Sequence, residues 1–139
     1  NIIVINGDKK DDFEKKILNI SKSLKIFYSH YLPTNINEFK NKKLLAFAGI
    51  GNPDNFFQLL LRYKLDIRKK IYFPDHYEYS EKDLEKINIE STKNNYTVIT
   101  TEKDFHRIKK SGLNNLNYLK LEVIIEEEEK FMKEILKYL

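Results

Sequence analysis

The residue order predicts an α/β protein: a three-layer α/β/α domain with a mostly parallel, Rossmann-like sheet, preceded by an N-terminal βα remnant and a β hinge. Three observations carry this. From residue 44 onward, short apolar runs alternate with amphipathic segments in the order β-α-β-α-β-α-β-α, with short connections. Such alternation makes neighbouring strands parallel and puts helices on the sheet faces. Helix-start signals follow the strands at Asn52-Pro53, Ser80-Glu81-Lys82-Asp83 and Thr101-Glu102-Lys103-Asp104.

Ile2 to Ile5 is a β-branched run closed by Asn6-Gly7 and reads as a buried strand and turn. Asp8 to Leu24 places Phe13, Ile17, Ile20 and Leu24 four, three and four residues apart, one stripe of a helix. Ile26 to Leu32 is aromatic and extended, and Pro33 stops it. Residues 34–43 are polar and read as a linker or turn. Leu44 to Ala48 is a continuous apolar run, hence a strand covered on both faces, ending at Gly49-Ile50-Gly51. Asn52 as cap and Pro53 at the first position open a helix to about Tyr63. Ile71 to Phe73 is the next strand. Ser80 to Asp83 resembles a capping box, with Asp in place of Glu, and opens a helix through Leu84 and Ile87. Tyr96 to Thr100 is a strand, Thr101 to Asp104 repeats the capping pattern for a helix to about Lys110, and Tyr118 to Ile125 is a strand. Glu126 to Glu129 load the start of a last helix, whose apolar face is Phe131, Met132, Ile135, Leu136 and Leu139. The expected domains are 1–24, the end of a preceding domain; 25–43, a hinge; and 44–139, the C-terminal α/β domain. A strand at the first residue suggests that further chain lies upstream.

Composition narrows the function. The chain has 139 residues, no cysteine and a net charge of +4. Disulfide frameworks, thiolate metal sites and Cys nucleophiles are excluded. His30, His76 and His106 are too scattered to predict a metal site. No apolar run reaches the roughly 20 residues of a spanning helix, so the chain reads as soluble. Basic residues are not interleaved with exposed aromatics, which argues against nucleic acid. The four glycines (7, 49, 51 and 112) offer no Walker-type loop, and Asp54 stands where a dinucleotide fingerprint needs its third glycine.

In parallel sheets ligands bind outside the carboxyl ends of the strands. Gly49 to Pro53, Asp75-His76 and Thr101 to Asp104 all fall at such ends and are expected along one edge. His76 is the one histidine beside a carboxylate, suited to moving protons near neutral pH. In an extended segment Asp75 and His76 would point to opposite sides, so the carboxylate that orients His76 is expected from elsewhere. His30 reads as structural, His106 as solvent-facing, and Thr101 to Asp104 as a helix cap in which Lys103 opposes the helix dipole. The cluster Arg62, Lys64, Arg68, Lys69 and Lys70 reads as a solvated face.

Leu45-Ala46-Phe47-Ala48-Gly49-Ile50-Gly51-Asn52-Pro53 with Phe56-Phe57, then Phe73-Pro74-Asp75-His76, then Val98-Ile99-Thr100-Thr101-Glu102-Lys103-Asp104, resemble in order and spacing the C-terminal half of the tetraacyldisaccharide 4′-kinase (lipid A 4′-kinase) family of Gram-negative bacteria. Val4-Ile5-Asn6-Gly7 is similar to the end of that family's N-terminal domain. The resemblance implies a transferase in lipopolysaccharide synthesis. It would use ATP and Mg²⁺ to phosphorylate the 4′-hydroxyl of the lipid A disaccharide precursor at the cytoplasmic face of the inner membrane, touching its anionic surface. It further implies two α/β/α domains, with the phosphate loop, magnesium ligands and catalytic Asp in the N-terminal kinase domain. That domain would be the partner of this chain. His76, with Asp75, would match the family's Asp-His motif, whose His assists the catalytic Asp across the interdomain cleft. Gly49, Gly51 and Asn52 would shape the substrate and nucleotide cleft. Thr101, Glu102, Lys103 and Asp104 would contact nucleotide, the partner domain or each other. The family often has a second His where Tyr77 stands here. Phosphoryl transfer needs a cradle, a metal and a base, so the chain alone is expected to be inactive, to hold no metal and to bind no cofactor tightly. Two rivals remain: a non-catalytic α/β module for a phosphorylated ligand or protein partner, and a basic RNA-contacting domain.

Overall fold

In the computed structural model, which describes residues 1–108, 113 and 115–138, the chain runs β1 (Ile2–Asn6), α1 (Asp11–Ile20), β2 (Lys25–Pro33), a 3-10 turn (Ile36–Phe39), β3 (Lys43–Ala48), α2 (Pro53–Arg62), β4 (Asp66–Tyr72), α3 (Glu81–Asn94), β5 (Thr97–Thr101), α4 (Glu102–Ile108), β6 (Leu116–Leu119), β7 (Leu121–Ile125), α5 (Glu128–Ile135) and a closing 3-10 turn (Leu136–Tyr138). Two units result: Pro33–Lys120, and Asn1–Leu32 with Leu121–Leu139.

The Pro33–Lys120 unit is the expected three-layer α/β/α sandwich. Its sheet has the order β4-β3-β5-β6, and each pairing is parallel. The central strand β3 is buried from Leu44 to Ala48 because both its faces are covered. Leu44, Ala46 and Ala48 pack with Phe56, Phe57 and Leu60 of α2 and with Phe39. Leu45 and Phe47, on the opposite face, pack with Leu84 and Ile87 of α3 and Ile108 of α4. The caps work as their chemistry requires. The Asn52 side chain accepts from Asn55 N at 3.4 Å, with Pro53 in the first turn. Ser80 and Asp83 form a reciprocal capping box, and the Ser80 hydroxyl holds the Asp83 carboxyl below the usual carboxylate range. The basic cluster lies partly on β4, an edge strand with a bulge opposite Leu44/Leu45, where charge discourages edge-to-edge pairing.

The other unit is a sheet of order β1-β2-β7, with β1 and β2 parallel and α1 between them. Phe27 meets Phe131 edge-to-face at 5.2 Å.

Several expectations need correction. Tyr118 to Ile125 is not one strand: β6 closes the parallel sheet and β7 pairs in the other unit. The buried Asn35 amide punctuates the chain there. Its Nδ2 donates to Tyr118 O at 3.0 Å and its Oδ1 accepts from Lys120 N at 2.9 Å. Residues 34–43 are therefore no loose linker, since Ile36 and Phe39 belong to the core. Helix α1 spans only Asp11–Ile20; Ser21 turns extended, and Ile20 is 83 % exposed. Strand β1 is only partly buried. Strand β4 begins at Asp66, five residues before the expected strand, because its charged positions sit on an edge. Helix α5 begins at Glu128, after Glu127 in a left-handed conformation, and none of its residues is fully buried. The expected extension of α4 to Lys110, and Leu139, lie outside the described residues.

Replacing Asn35 by Ala leaves Tyr118 O and Lys120 N without their partners and is expected to cost about 2 kcal/mol in urea unfolding. Asn35→Asp keeps the acceptor for Lys120 but faces Tyr118 O with a carboxylate, so it should fare no better.

Candidate functional site

Strand order β4-β3-β5 means that the chain leaves β3 to one side for β4 and returns to its other side for β5. The carboxyl ends of β3 and β5 thus flank a topological switch point, where open α/β sheets form a crevice. The loops after β3, β4 and β5 carry the three predicted clusters, and the structure brings them together.

Asp104 holds the arrangement from beneath. It is fully buried at the start of α4. Its Oδ2 accepts from Gly49 N at 2.9 Å and from the Thr101 hydroxyl at 2.8 Å, while Arg107 Nη1 donates to Oδ1 at 3.2 Å. Asp104 N in turn donates to Thr101 Oγ1 at 3.2 Å, and Arg107 Nη1 reaches Gly49 O at 3.3 Å. A buried carboxylate is costly unless paired and hydrogen-bonded, and here both conditions are met. The predicted cap at Thr101–Asp104 therefore exists, and its acid also bolts the β3–α2 loop to α4. Asp104 is occupied by the protein itself and is not a surface that a ligand meets. Arg107 lies outside the sequence motifs; an Asp-Arg pair three residues apart on a helix is the one available signal.

Tyr79 was missed as well. It stacks edge-to-face with Phe47 and Phe73, and a Cβ at Gly49 would lie 2.6 Å from its oxygen. This close approach, not an unusual φ, is why residue 49 is glycine. Among the described residues the Tyr79 hydroxyl has no hydrogen-bond partner. Burial, and then the neighbouring Asp104 charge, push the phenol far above its usual pKa.

Above this floor lies an exposed set of charges. His76 takes a left-handed conformation, φ 58°, and its N–H donates to Asp75 Oδ1 at 2.9 Å. The segment is not extended, which corrects the expectation that Asp75 and His76 diverge: His76 Nε2 lies 3.7 Å from Asp75 Oδ2. Lys103 Nζ lies 3.8 Å from the other oxygen, Asp75 Oδ1. A Cβ at Gly51 would meet Asp75 Oδ2 at 3.3 Å, so the β3–α2 loop passes close by. The His76 side chain is 72 % exposed, which makes these contacts individually weak and leaves the imidazole facing outward. Glu102 is not part of this set; it pairs with His106 at 3.8 Å along α4. Asn52 is engaged as a helix cap. His30, which reads as structural in the sequence, is exposed and 3.9 Å from Glu126.

The geometry thus presents one outward-facing proton carrier and one cation, Lys103, on a rigid floor. Among the described residues no group of three His, Asp or Glu gathers as a metal site, and no helix is long and apolar enough to cross a membrane.

A model of the tetraacyldisaccharide-1-P 4′-kinase family matches residues 1–139. The chain belongs to that family. A tetraacyldisaccharide 4′-kinase of Pelagibacter ubique is 35 % identical over 138 residues, covering 97 % of this chain and 44 % of the relative. That of Rickettsia bellii is 49 % identical over 73 residues, covering 52 % of this chain and 23 % of the relative. The fold is similar to a crystal structure of LpxK from Aquifex aeolicus in complex with ATP, with a TM-score of 0.62 at 21 % identity, covering 99 % of this chain and 51 % of that one. The chain therefore spans less than half the length of the Pelagibacter tetraacyldisaccharide 4′-kinase that it matches almost from end to end.

Three outcomes follow from the floor. Asp104→Ala strands the Gly49 N–H and Arg107 and should cost about 3–5 kcal/mol in chemical denaturation, with Thr101→Ala costing less. Gly49→Ala should destabilise, and Tyr79→Phe in the same chain should recover part of that loss, a non-additive pair by thermal melt. Tyr79 also sets an alkaline limit. Its pKa is raised on folding, so the native state keeps a proton that the unfolded chain releases; stability should fall as pH rises above about 10, and Tyr79→Phe should flatten that fall.

Proposed function

We propose that residues 1–139 are the C-terminal part of a tetraacyldisaccharide 4′-kinase. The complete enzyme would transfer the γ-phosphoryl group of ATP to the 4′-hydroxyl of the lipid A disaccharide precursor, at the cytoplasmic face of the inner membrane. The observation that carries this reading is the meeting of the Gly49–Asn52, Asp75-His76 and Thr101–Asp104 loops at one end of a parallel sheet, in a chain that matches the family throughout.

In this reading His76 handles the proton. As the 4′-oxygen bonds to phosphorus and the bond from phosphorus to the ADP leaving group breaks, the hydroxyl proton must be taken up. An exposed imidazole beside Asp75 suits that task, directly or through a carboxylate of the N-terminal kinase domain. Asp75 Oδ1 accepts from the His76 backbone N–H, and its other oxygen lies 3.7 Å from the ring, where it would favour the protonated imidazole. Lys103 shares Asp75 and stands where a cation would offset phosphate charge. Gly49 and Gly51 let the loop lie close to Tyr79 and Asp75, and Asn52 starts α2.

The described residues do not fit magnesium: they gather no ligand set, and the glycines form no Lys-Ser/Thr cradle. ATP and Mg²⁺ belong to the N-terminal half in this reading, which makes that half the obligatory partner and this chain inactive alone.

The chain with ATP, magnesium and the disaccharide lipid should show no turnover above background. Adding an N-terminal half from a relative should restore it. In the restored enzyme His76→Ala should lower kcat about a hundredfold with little change in KM for ATP. Turnover by the chain alone would sink the split-function reading, and full activity of His76→Ala would sink the role of His76.

A further inference from the structure

The β4–α3 loop that carries His76 is built as a tight turn. Tyr77 N donates to Pro74 O at 3.2 Å, which closes a four-residue turn over Pro74–Tyr77. Within it His76 alone has a positive φ, 58°. A type II turn requires that conformation at its third position, where glycine or asparagine normally supplies it. A histidine there is strained, so the turn persists only if its surroundings hold it. Asp75, the residue before it, pairs with Lys103 at 3.8 Å, but both side chains are about half exposed and that contact is weak. The residue after it is held much more firmly.

Tyr77 is fixed at both ends of its side chain. Its ring centroid lies 4.8 Å from that of Phe73 and 5.5 Å from that of Tyr79, and both of those rings pack on the buried Phe47 of β3. Its hydroxyl donates to Asp83 Oδ2 at 3.0 Å. That oxygen also accepts from Ser80 N and from the Ser80 hydroxyl, so it belongs to the capping box that opens α3. A charged acceptor makes the Tyr77–Asp83 bond stronger than one between neutral groups. The same bond pushes the Tyr77 phenol above its usual pKa, because the neutral form is the donor. The loop is thus pinned to a strand through the ring and to a helix start through the hydroxyl, one residue away from His76.

We propose that Tyr77 is a positioning residue for His76: its anchored ring and hydroxyl hold the strained turn that faces the imidazole outward. The effect of Tyr77 on catalysis rests on the proton-handling role of His76; its hold on the turn does not.

Two variants of the full 139-residue chain separate this anchor from the stability of α3. By NMR, His76 of the parent chain should show the strong intraresidue amide-to-α-proton NOE of a left-handed residue. Tyr77→Phe keeps the ring and loses the hydroxyl, so that NOE should weaken. Combined with the N-terminal half of a relative, the same variant should lower kcat about fivefold, the worth of one hydrogen bond, with KM for ATP unchanged. Ser80→Ala removes the cap but not the Tyr77–Asp83 bond; it should lower the Tm while leaving the NOE and kcat as they were. No such NOE in the parent chain, an unchanged NOE in Tyr77→Phe, a raised KM for ATP in place of a lowered kcat, or an equal kcat loss in Ser80→Ala would each overturn the proposal. Should His76→Ala retain full activity, the proton-handling role fails, and the NOE of Tyr77→Phe alone decides the anchor.

Discussion

The Asp104 carboxylate is surrounded by groups from two different chain segments, and each needs it. Gly49 N–H is the first amide beyond the central strand, and without an acceptor it would be buried and unpaired. Arg107 brings the compensating charge from one helical turn later. Thr101 completes the cap of α4. One acid therefore satisfies a strand end, a helix start and a cation at once. Because the site is buried, weakening any contact exposes the others to the full desolvation cost. The exposed chemistry inherits its position from this node: the Gly49–Gly51 loop lies against Asp75, and Lys103 is the residue immediately before Asp104.

The division of labour follows from burial. Tyr79, Phe47 and Phe73 form an aromatic wedge beneath the loops, and Thr100 ties β5 to β3 by donating to Phe47 O at 2.8 Å. Asp75, His76 and Lys103 stay in solvent, where no single contact is strong. The side chains of this loosely held upper layer can adjust without disturbing the sheet beneath them. The left-handed His76 is the one strained element on that layer, and backbone strain of this kind is tolerated where a side chain must be aimed.

Much of this was readable from residue order. The run Leu44–Ala48 gave a doubly covered strand, and Asn52-Pro53 and Ser80–Asp83 gave helix starts to within a residue, because caps and apolar periods are local properties. The errors cluster where locality fails. A single apolar run at 118–125 hid two strands because Asn35, more than eighty residues away in sequence, breaks it at Lys120. The polar stretch 34–43 concealed two core residues, Ile36 and Phe39. The stripe of α1 suggested a longer helix than Asp11–Ile20, since Ile20 finds nothing to cover it and so rewards no further turn.

Residue types and their spacing were enough to indicate a parallel α/β sheet, the three loops at its carboxyl end and the cap at Thr101–Asp104, all of which depend on short-range patterns, while the ordered motifs gave a resemblance to a kinase family that the family match then showed. Folding in three dimensions settled which acid is structural and which is exposed, that Asp75 lies beside His76 rather than turned away from it, and that Arg107 and Tyr79 belong to the floor. Burial and pairing arise from segments that meet only when β3 and β5 lie side by side, and no local pattern records that meeting.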